Sequence, residues 1–212
     1  MTLVKICGIT NLDDALAAVD AGADALGFNF YARSPRYISP VAARELINQL
    51  PASILKVGVF VNEDLRSLLR IVSEANVSAV QLHGDESPDY CRQLRGKYVI
   101  KAFGATNNFD WNAVGVYDVE AIMLDTKDDV LRGGTGRVFD WSLVERANGS
   151  TANRPTPKLF LAGGLSPENV AEAIAMVEPY AVDACSSLEE TPGKKNHERV
   201  RAFVKAVRGV EP

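Results

Sequence analysis

Eight short apolar runs recur along the chain, and a helical pattern or a polar turn separates each run from the next. They occupy residues 3–7, 24–28, 54–60, 78–82, 98–103, 121–124, 158–161 and 180–183. Each is too short for a helix and rich in Val, Ile, Leu or Phe, which is how a buried strand reads. Residues 12–21, 40–50, 63–75, 88–94, 167–177 and 196–208 carry apolar side chains at helical spacing. Thr10 or Asn11 is placed to cap the first helix, with Gly22 at its end, and Asn62 to cap the third. Ser39-Pro40 and Ser87-Pro88 open two more. Residues 104–118 have little helical periodicity, so the fifth helix is expected to be degenerate, and a short helix is expected from Phe139-Asp140-Trp141. Parallel strands need crossover connections, and strict alternation supplies them. The expected fold is α/β: a single-domain (β/α)8 TIM barrel over residues 1–212, with a doubly wound open sheet as runner-up.

Composition narrows the partners. A hydrophobic content of 47% with 24% charged residues is that of a soluble globular chain. Net charge is -4 and no long basic run occurs, which argues against nucleic acid. No apolar stretch approaches the ~20 residues that span a bilayer, so no membrane partner is expected. The first strand begins at once and leaves no room for a signal peptide. Three widely spaced cysteines argue against a disulfide framework and for the reducing cytoplasm.

In such folds ligands meet the carboxyl ends of the strands. Cys7 ends the first strand, where Gly8 bends the chain. Taken alone it reads as a buried core thiol. Gly163-Gly164-Leu165 lies just before Ser166-Pro167, and Cys185-Ser186-Ser187 follows the last strand. Small residues there let backbone amides approach an anion beside a helix N-terminus, which points to phosphate. Cys7 and Asp125, ending strands one and six, can face one cavity, a thiolate as base and a carboxylic acid as acid. Alone, Asp125 reads equally as a loop cap.

The motifs Lys5-Ile6-Cys7-Gly8-Ile9-Thr10, Ser34-Pro35-Arg36, Gln81-Leu82-His83-Gly84-Asp85-Glu86 and Leu124-Asp125-Thr126 occur in that order. Gly133-Gly134-Thr135-Gly136, Phe139-Asp140-Trp141 and Leu161-Ala162-Gly163-Gly164-Leu165 follow. Together they span nearly the whole chain, which resembles the phosphoribosylanthranilate isomerase family of tryptophan biosynthesis. The resemblance implies a (β/α)8 barrel with no metal or organic cofactor and an Amadori rearrangement of a phosphorylated sugar–anthranilate. It assigns the general acid to Asp125, the general base to Cys7 and contact with the anthranilate carboxylate to Arg36. His83 is expected near the substrate or as a turn-stabilising residue. Gly134, Gly163, Gly164, Asp183, Cys185 and Ser186 are expected to bind substrate, with Asp183 orienting the phosphate loop or pairing with Lys5. The partner is a small molecule, and the chain is expected to be a monomer or homodimer.

One stretch departs from the family pattern. Where Asp-x-Ser-Ser-Gly-x-Glu is usual, the chain reads Asp183-Ala184-Cys185-Ser186-Ser187-Leu188-Glu189. A thiol is a weaker donor than a hydroxyl, and Ser187 would be strained by about 1 kcal/mol if its position needs positive φ. Cys91, Trp111, Phe139 and Trp141 read as packing residues. Competing readings are a bifunctional histidine–tryptophan isomerase, against which Cys7 speaks, an aldolase-type barrel using Lys101 as Schiff base, and a non-catalytic phosphate-ligand barrel.

Overall fold

A computed structural model of the chain describes residues 1–105, 111–126 and 157–210. Its strands are β1 Leu3–Ile6, β2 Ala25–Asn29, β3 Leu55–Phe60, β4 Ala79–Leu82, β5 Tyr98–Ala105, β6 Ala121–Thr126, β7 Lys158–Leu161 and β8 Ala181–Ala184. Each pairs in parallel with the next, and β8 returns to β1 through Leu3↔Ala181 to Ile6↔Ala184. That closing ladder excludes the open sheet, because β1 has a partner on both sides.

The connecting helices are α1 Leu12–Ala21, α2 Pro40–Ile47, α3 Leu65–Ala75, α4 Pro88–Arg92, α5 Trp111–Val114, α6 Val170–Val177 and α7 His197–Arg208. Side-chain caps start several of them. Asn11 accepts from the Asp14 amide at 2.9 Å, and Ser39, Ser87 and Asn196 cap α2, α4 and α7 in the same way. The cap of α3 is Asp64 and not Asn62. Asn62 instead adopts φ 51° and accepts from the Asp85 amide at 2.7 Å across the neighbouring loop. The fifth helix is one turn long, as expected. The expected helix at Phe139-Asp140-Trp141 lies outside the described residues. A small antiparallel hairpin, β9 Glu189–Thr191 and β10 Lys194–Lys195, turns at Pro192-Gly193 and had no counterpart in the sequence reading.

Side-chain alternation with period two divides the apolar residues into two sets. Val4, Ile6, Leu26, Phe28, Phe60, Leu82 and Val182 pack outward against the helices in the larger cluster. Ala25, Val57, Ala79, Ile100, Met123, Phe160 and Ala181 form a separate cluster that fills the barrel. Small alanines are used where eight strands leave little room. Stepping by two from this inner set selects Gln81, His83, Asp125, Asp183 and Cys185, and Lys5 is inward because it pairs with Ala25. Cys7 follows two residues on. The barrel thus sends its chemistry-bearing side chains inward at the carboxyl ends of its strands.

Candidate active site

The turn after β1 is fixed by two bonds: Gly8 and Ile9 both donate their amides to the Gly27 carbonyl at 3.0 Å. Gly8 has φ 77°. A Cβ there would lie 2.7 Å from Arg36 Cδ and 2.9 Å from Cys185 Sγ. A Cβ on Gly27 would lie 2.7 Å from Cys7 Sγ and 3.1 Å from Lys5 Nζ. The two glycines therefore make the space in which Cys7, Lys5, Arg36 and Cys185 meet. Lys5 Nζ and Asp183 Oδ1 form a buried ion pair at 2.8 Å. Of the two roles expected of Asp183, the geometry selects pairing with Lys5.

Cys7 is held well below the ordinary thiol range. The Cys185 thiol hydrogen-bonds it and outweighs the cost of burial, and the Lys5 and Lys195 ammoniums add attraction. Cys185 is correspondingly raised, by the same bond and by burial. Burial opposes the charge on Lys5, but attraction to Asp183 and Cys7 prevails and raises it. Asp183 is pushed up to about 7, first by burial and then by the negative charge of Cys7, because it shares Lys5 with a second anion.

Across the mouth, His83 Nε2 stands 3.2 Å from Asp125 Oδ2. The Gln81 amide nitrogen lies 2.8 Å from His83 Nδ1. This contact orients the ring so that Nε2 faces Asp125. Burial works against the imidazolium, yet the hydrogen bond and charge of Asp125 raise His83 above its ordinary value of 6.5. The charges of Cys7 and Asp125 both act on Asp183 and on His83, and all four groups sit at inward positions at the carboxyl ends of their strands.

The loop behind His83 is locked from outside the barrel. Buried Glu86 accepts from the Asn62 amide at 2.8 Å and the Gly84 amide at 3.0 Å, and pairs with Lys101 Nζ at 3.0 Å. Lys101 also donates to the carbonyls of Leu82, Gly84 and Ala102. Its ammonium is committed to the outer layer, which overturns the Schiff-base alternative.

Arg36 reaches the same mouth, where its Nε and Nη2 hold Glu189 at 2.8 and 2.7 Å. Lys195 Nζ binds the same carboxylate at 3.0 Å. Burial opposes the charge on Glu189, but these two cations keep its carboxyl below the usual value. Arg36 Nη1 makes no hydrogen bond among the described residues. Gly163 and Gly164 have φ 84° and 67° and turn the chain after β7. Ser187 does not need positive φ: Ser186–Leu188 is a turn of 3-10 helix. The Ser187 hydroxyl donates to the Leu165 carbonyl and its own carbonyl accepts from Arg199 Nε at 2.6 Å, so the expected strain is absent. The amides of Gly163, Gly164 and Ser186 donate to no acceptor among the described residues. Cys185 faces Cys7. Gly134 lies outside the described residues.

The sequence reading gave no role to Gln81, Glu189 or Lys195. Gln81 stood in a motif at the end of the fourth strand, two residues before His83 on an inward parity, a signal that was available. Glu189 and Lys195 were legible only with the hairpin that brings them together. Cys91 is buried, as a packing residue should be. Among the described residues no group of three or more His, Cys, Asp or Glu side chains is arranged to hold a metal ion.

A family model described as N-(5'phosphoribosyl)anthranilate (PRA) isomerase matches residues 4–206. The N-(5'-phosphoribosyl)anthranilate isomerase of Thermotoga neapolitana is 49% identical over 211 residues, covering 99% of this chain and 100% of that one. The crystal structure of phosphoribosyl anthranilate isomerase from Thermotoga maritima superposes with a TM-score of 0.91 at 46% identity, covering 99% of this chain and 100% of that one. A phosphoribosyl anthranilate isomerase in complex with reduced 1-(o-carboxyphenylamino)-1-deoxyribulose 5-phosphate gives a TM-score of 0.87 at 44% identity, over 99% and 100% of the two chains.

Proposed function

The chain belongs to the N-(5'-phosphoribosyl)anthranilate isomerase family, and from that premise we propose how its own residues divide the labour of the reaction. It is an isomerase of tryptophan biosynthesis that converts N-(5'-phosphoribosyl)anthranilate to 1-(2-carboxyphenylamino)-1-deoxyribulose 5-phosphate by an Amadori rearrangement. Asp125 gives a proton to the furanose ring oxygen, the ring opens, and the nitrogen lone pair forms an iminium. That C=N draws electrons from the neighbouring sugar carbon and makes its C–H acidic. The Cys7 thiolate removes this proton to leave an enolamine, which tautomerises to the ketone. Solvent then returns a proton to Asp125 and takes one from Cys7. Each proton-transfer group is typically worth ~10²–10⁴-fold in rate.

What supports this division is the inward placement of Cys7, Asp183, His83 and Asp125 at the carboxyl ends of their strands, where their charges act on one another. The Cys185 bond and the Lys5 ammonium favour the thiolate over the thiol. The His83–Asp125 contact lets that pair hold a proton on the opposite side. The substrate phosphate is assigned to the amides of Gly163, Gly164 and Ser186, which follow β7 and β8 and donate to no acceptor among the described residues. Gly134 is assigned to the same phosphate through its family motif. The anthranilate carboxylate fits Arg36 Nη1, with Glu189 holding the guanidinium in place. No described helix is long and apolar enough to cross a membrane. The three cysteines are free, in keeping with a cytoplasmic site of action.

Mixing the purified protein with freshly made phosphoribosylanthranilate and following anthranilate fluorescence tests the reading. Fluorescence should fall with turnover, and kcat/KM should trace a bell in pH. Its acid limb should lie below the ordinary thiol value of about 8.5, where Cys7 ionises. Its alkaline limb should lie above the ordinary imidazole value of about 6.5, where His83 loses its proton. No consumption, or a rate that climbs through the ordinary thiol range without a maximum, would contradict it.

A further inference from the structure

The closing ladder of the barrel pairs Ile6 with Ala184, and the Cys7 amide donates to the Ala184 carbonyl at 2.9 Å. The next residues, Cys7 and Cys185, leave the two paired strands at the same level, and both fall on the inward parity. Paired parallel strands lie about 4.8 Å apart, within the roughly 4.4–6.8 Å Cα separation that a disulfide spans. Each sulfur acts on the charge of the other. Gly8 keeps the gap beside them clear, since a Cβ there would press on Cys185 Sγ at 2.9 Å. Both residues are half-buried and face the open mouth, whereas Cys91 is buried on α4 outside the barrel. Around Cys185 stand Lys195 Nζ at 3.8 Å from its sulfur, Glu189 Oε1 at 3.9 Å, and Arg36. A thiolate, a resolving thiol and solvent access together are the parts of a redox-responsive pair.

We propose that Cys7 and Cys185 form a peroxide-responsive dithiol site whose oxidation to a disulfide reversibly blocks the proton-abstracting sulfur. Cys7 thiolate attacks one peroxide oxygen, the O–O bond breaks, and sulfenic acid and hydroxide form. Cys185 then attacks the Cys7 sulfur, the S–S bond forms, the S–O bond breaks, and hydroxide leaves with the Cys185 proton as water. Two sulfurs lose two electrons between them and one hydrogen peroxide is reduced. A dithiol reductant reverses the sum by thiol–disulfide exchange. Blockage of activity rests on the role given to Cys7 above; formation of the cross-link does not.

The test treats the reduced full-length protein with a few equivalents of hydrogen peroxide, blocks free thiols with iodoacetamide, and maps the digest by mass spectrometry. The expected product joins the Cys7 and Cys185 peptides and is two hydrogens lighter than their sum. Two of the three thiols disappear as isomerase activity falls, and dithiothreitol restores both. The Cys91→Ser variant should form the same cross-link. Cys185→Ser, compared with its own untreated activity, should lose activity that dithiothreitol no longer restores, because Cys7 without its resolving thiol proceeds to sulfinic acid. Three blockable thiols after complete inactivation, or Cys7 recovered as sulfinic acid in the parent with no cross-linked peptide, would overturn the proposal. A cross-linked protein with full activity would uphold the dithiol site and remove Cys7 from the reaction.

Discussion

At the scale of single residues, two glycines decide how closely a thiol approaches its cation. Gly27 has no room for a methyl group between Cys7 Sγ and Lys5 Nζ, and Gly8 has none between Arg36 and Cys185. Their contribution is the space they leave. Ser187 makes the opposite point. The family pattern suggested a glycine position under strain, but the residue sits in a right-handed 3-10 turn and ties the β8 exit to Leu165 through its hydroxyl. Ser187→Gly should therefore destabilise the fold: losing one hydrogen bond costs about 0.5–1.5 kcal/mol, and added backbone freedom costs roughly 0.5–1 kcal/mol more. Urea denaturation should show the variant unfolding at lower denaturant, and a midpoint above that of the parent would contradict this account.

At the scale of elements, the segment from β4 to α4 places His83 by means of a network that never touches the cavity. Glu86 gathers two backbone amides and the Lys101 ammonium in the outer layer, and Lys101 fastens the carbonyls on either side of His83. Removing one partner of such a pair strands a buried charge. Lys101→Met should cost about 3–5 kcal/mol, and the double variant Lys101→Met with Glu86→Gln should recover part of that loss. Thermal unfolding of the two variants reads the difference directly. A single variant as stable as the parent would show that the network does not hold the loop. Sequence periodicity found β4 and α4 but was silent about this loop, because a hydrogen-bond network joining residues 62, 84, 86 and 101 has no local pattern. It also placed the cap of α3 at Asn62 when Asp64, two residues on, holds it. Asn and Asp both suit a cap, and only the positive φ of Asn62 separates them.

At the scale of the whole molecule, the order of elements was legible because hydrophobic runs and helical faces alternate without a break, and a parallel closed sheet is what such alternation builds. The positions of Cys7 and Asp125 at strand ends were legible from the pattern of apolar runs, and their proposed roles rest on the family motifs. Arg36 was singled out by its Ser-Pro-Arg motif, but its bond to Glu189 depends on a hairpin more than 150 positions away. The Cys185–Cys7 contact was hidden for a similar reason: 178 residues separate them in the chain, and only closure of β8 on β1 makes them neighbours.

Barrel closure also sets the sulfur that follows β1 and the carboxyl group of β6 at the same end of the sheet, where the proposed mechanism has them meet one substrate. The most direct test compares Cys7→Ser and Asp125→Asn with the parent in two readouts, turnover of phosphoribosylanthranilate and affinity for the reduced product analogue. Each variant should bind the analogue about as the parent does while its kcat falls by at least ~10²-fold. Parental turnover in either variant would contradict the assignment of base and acid.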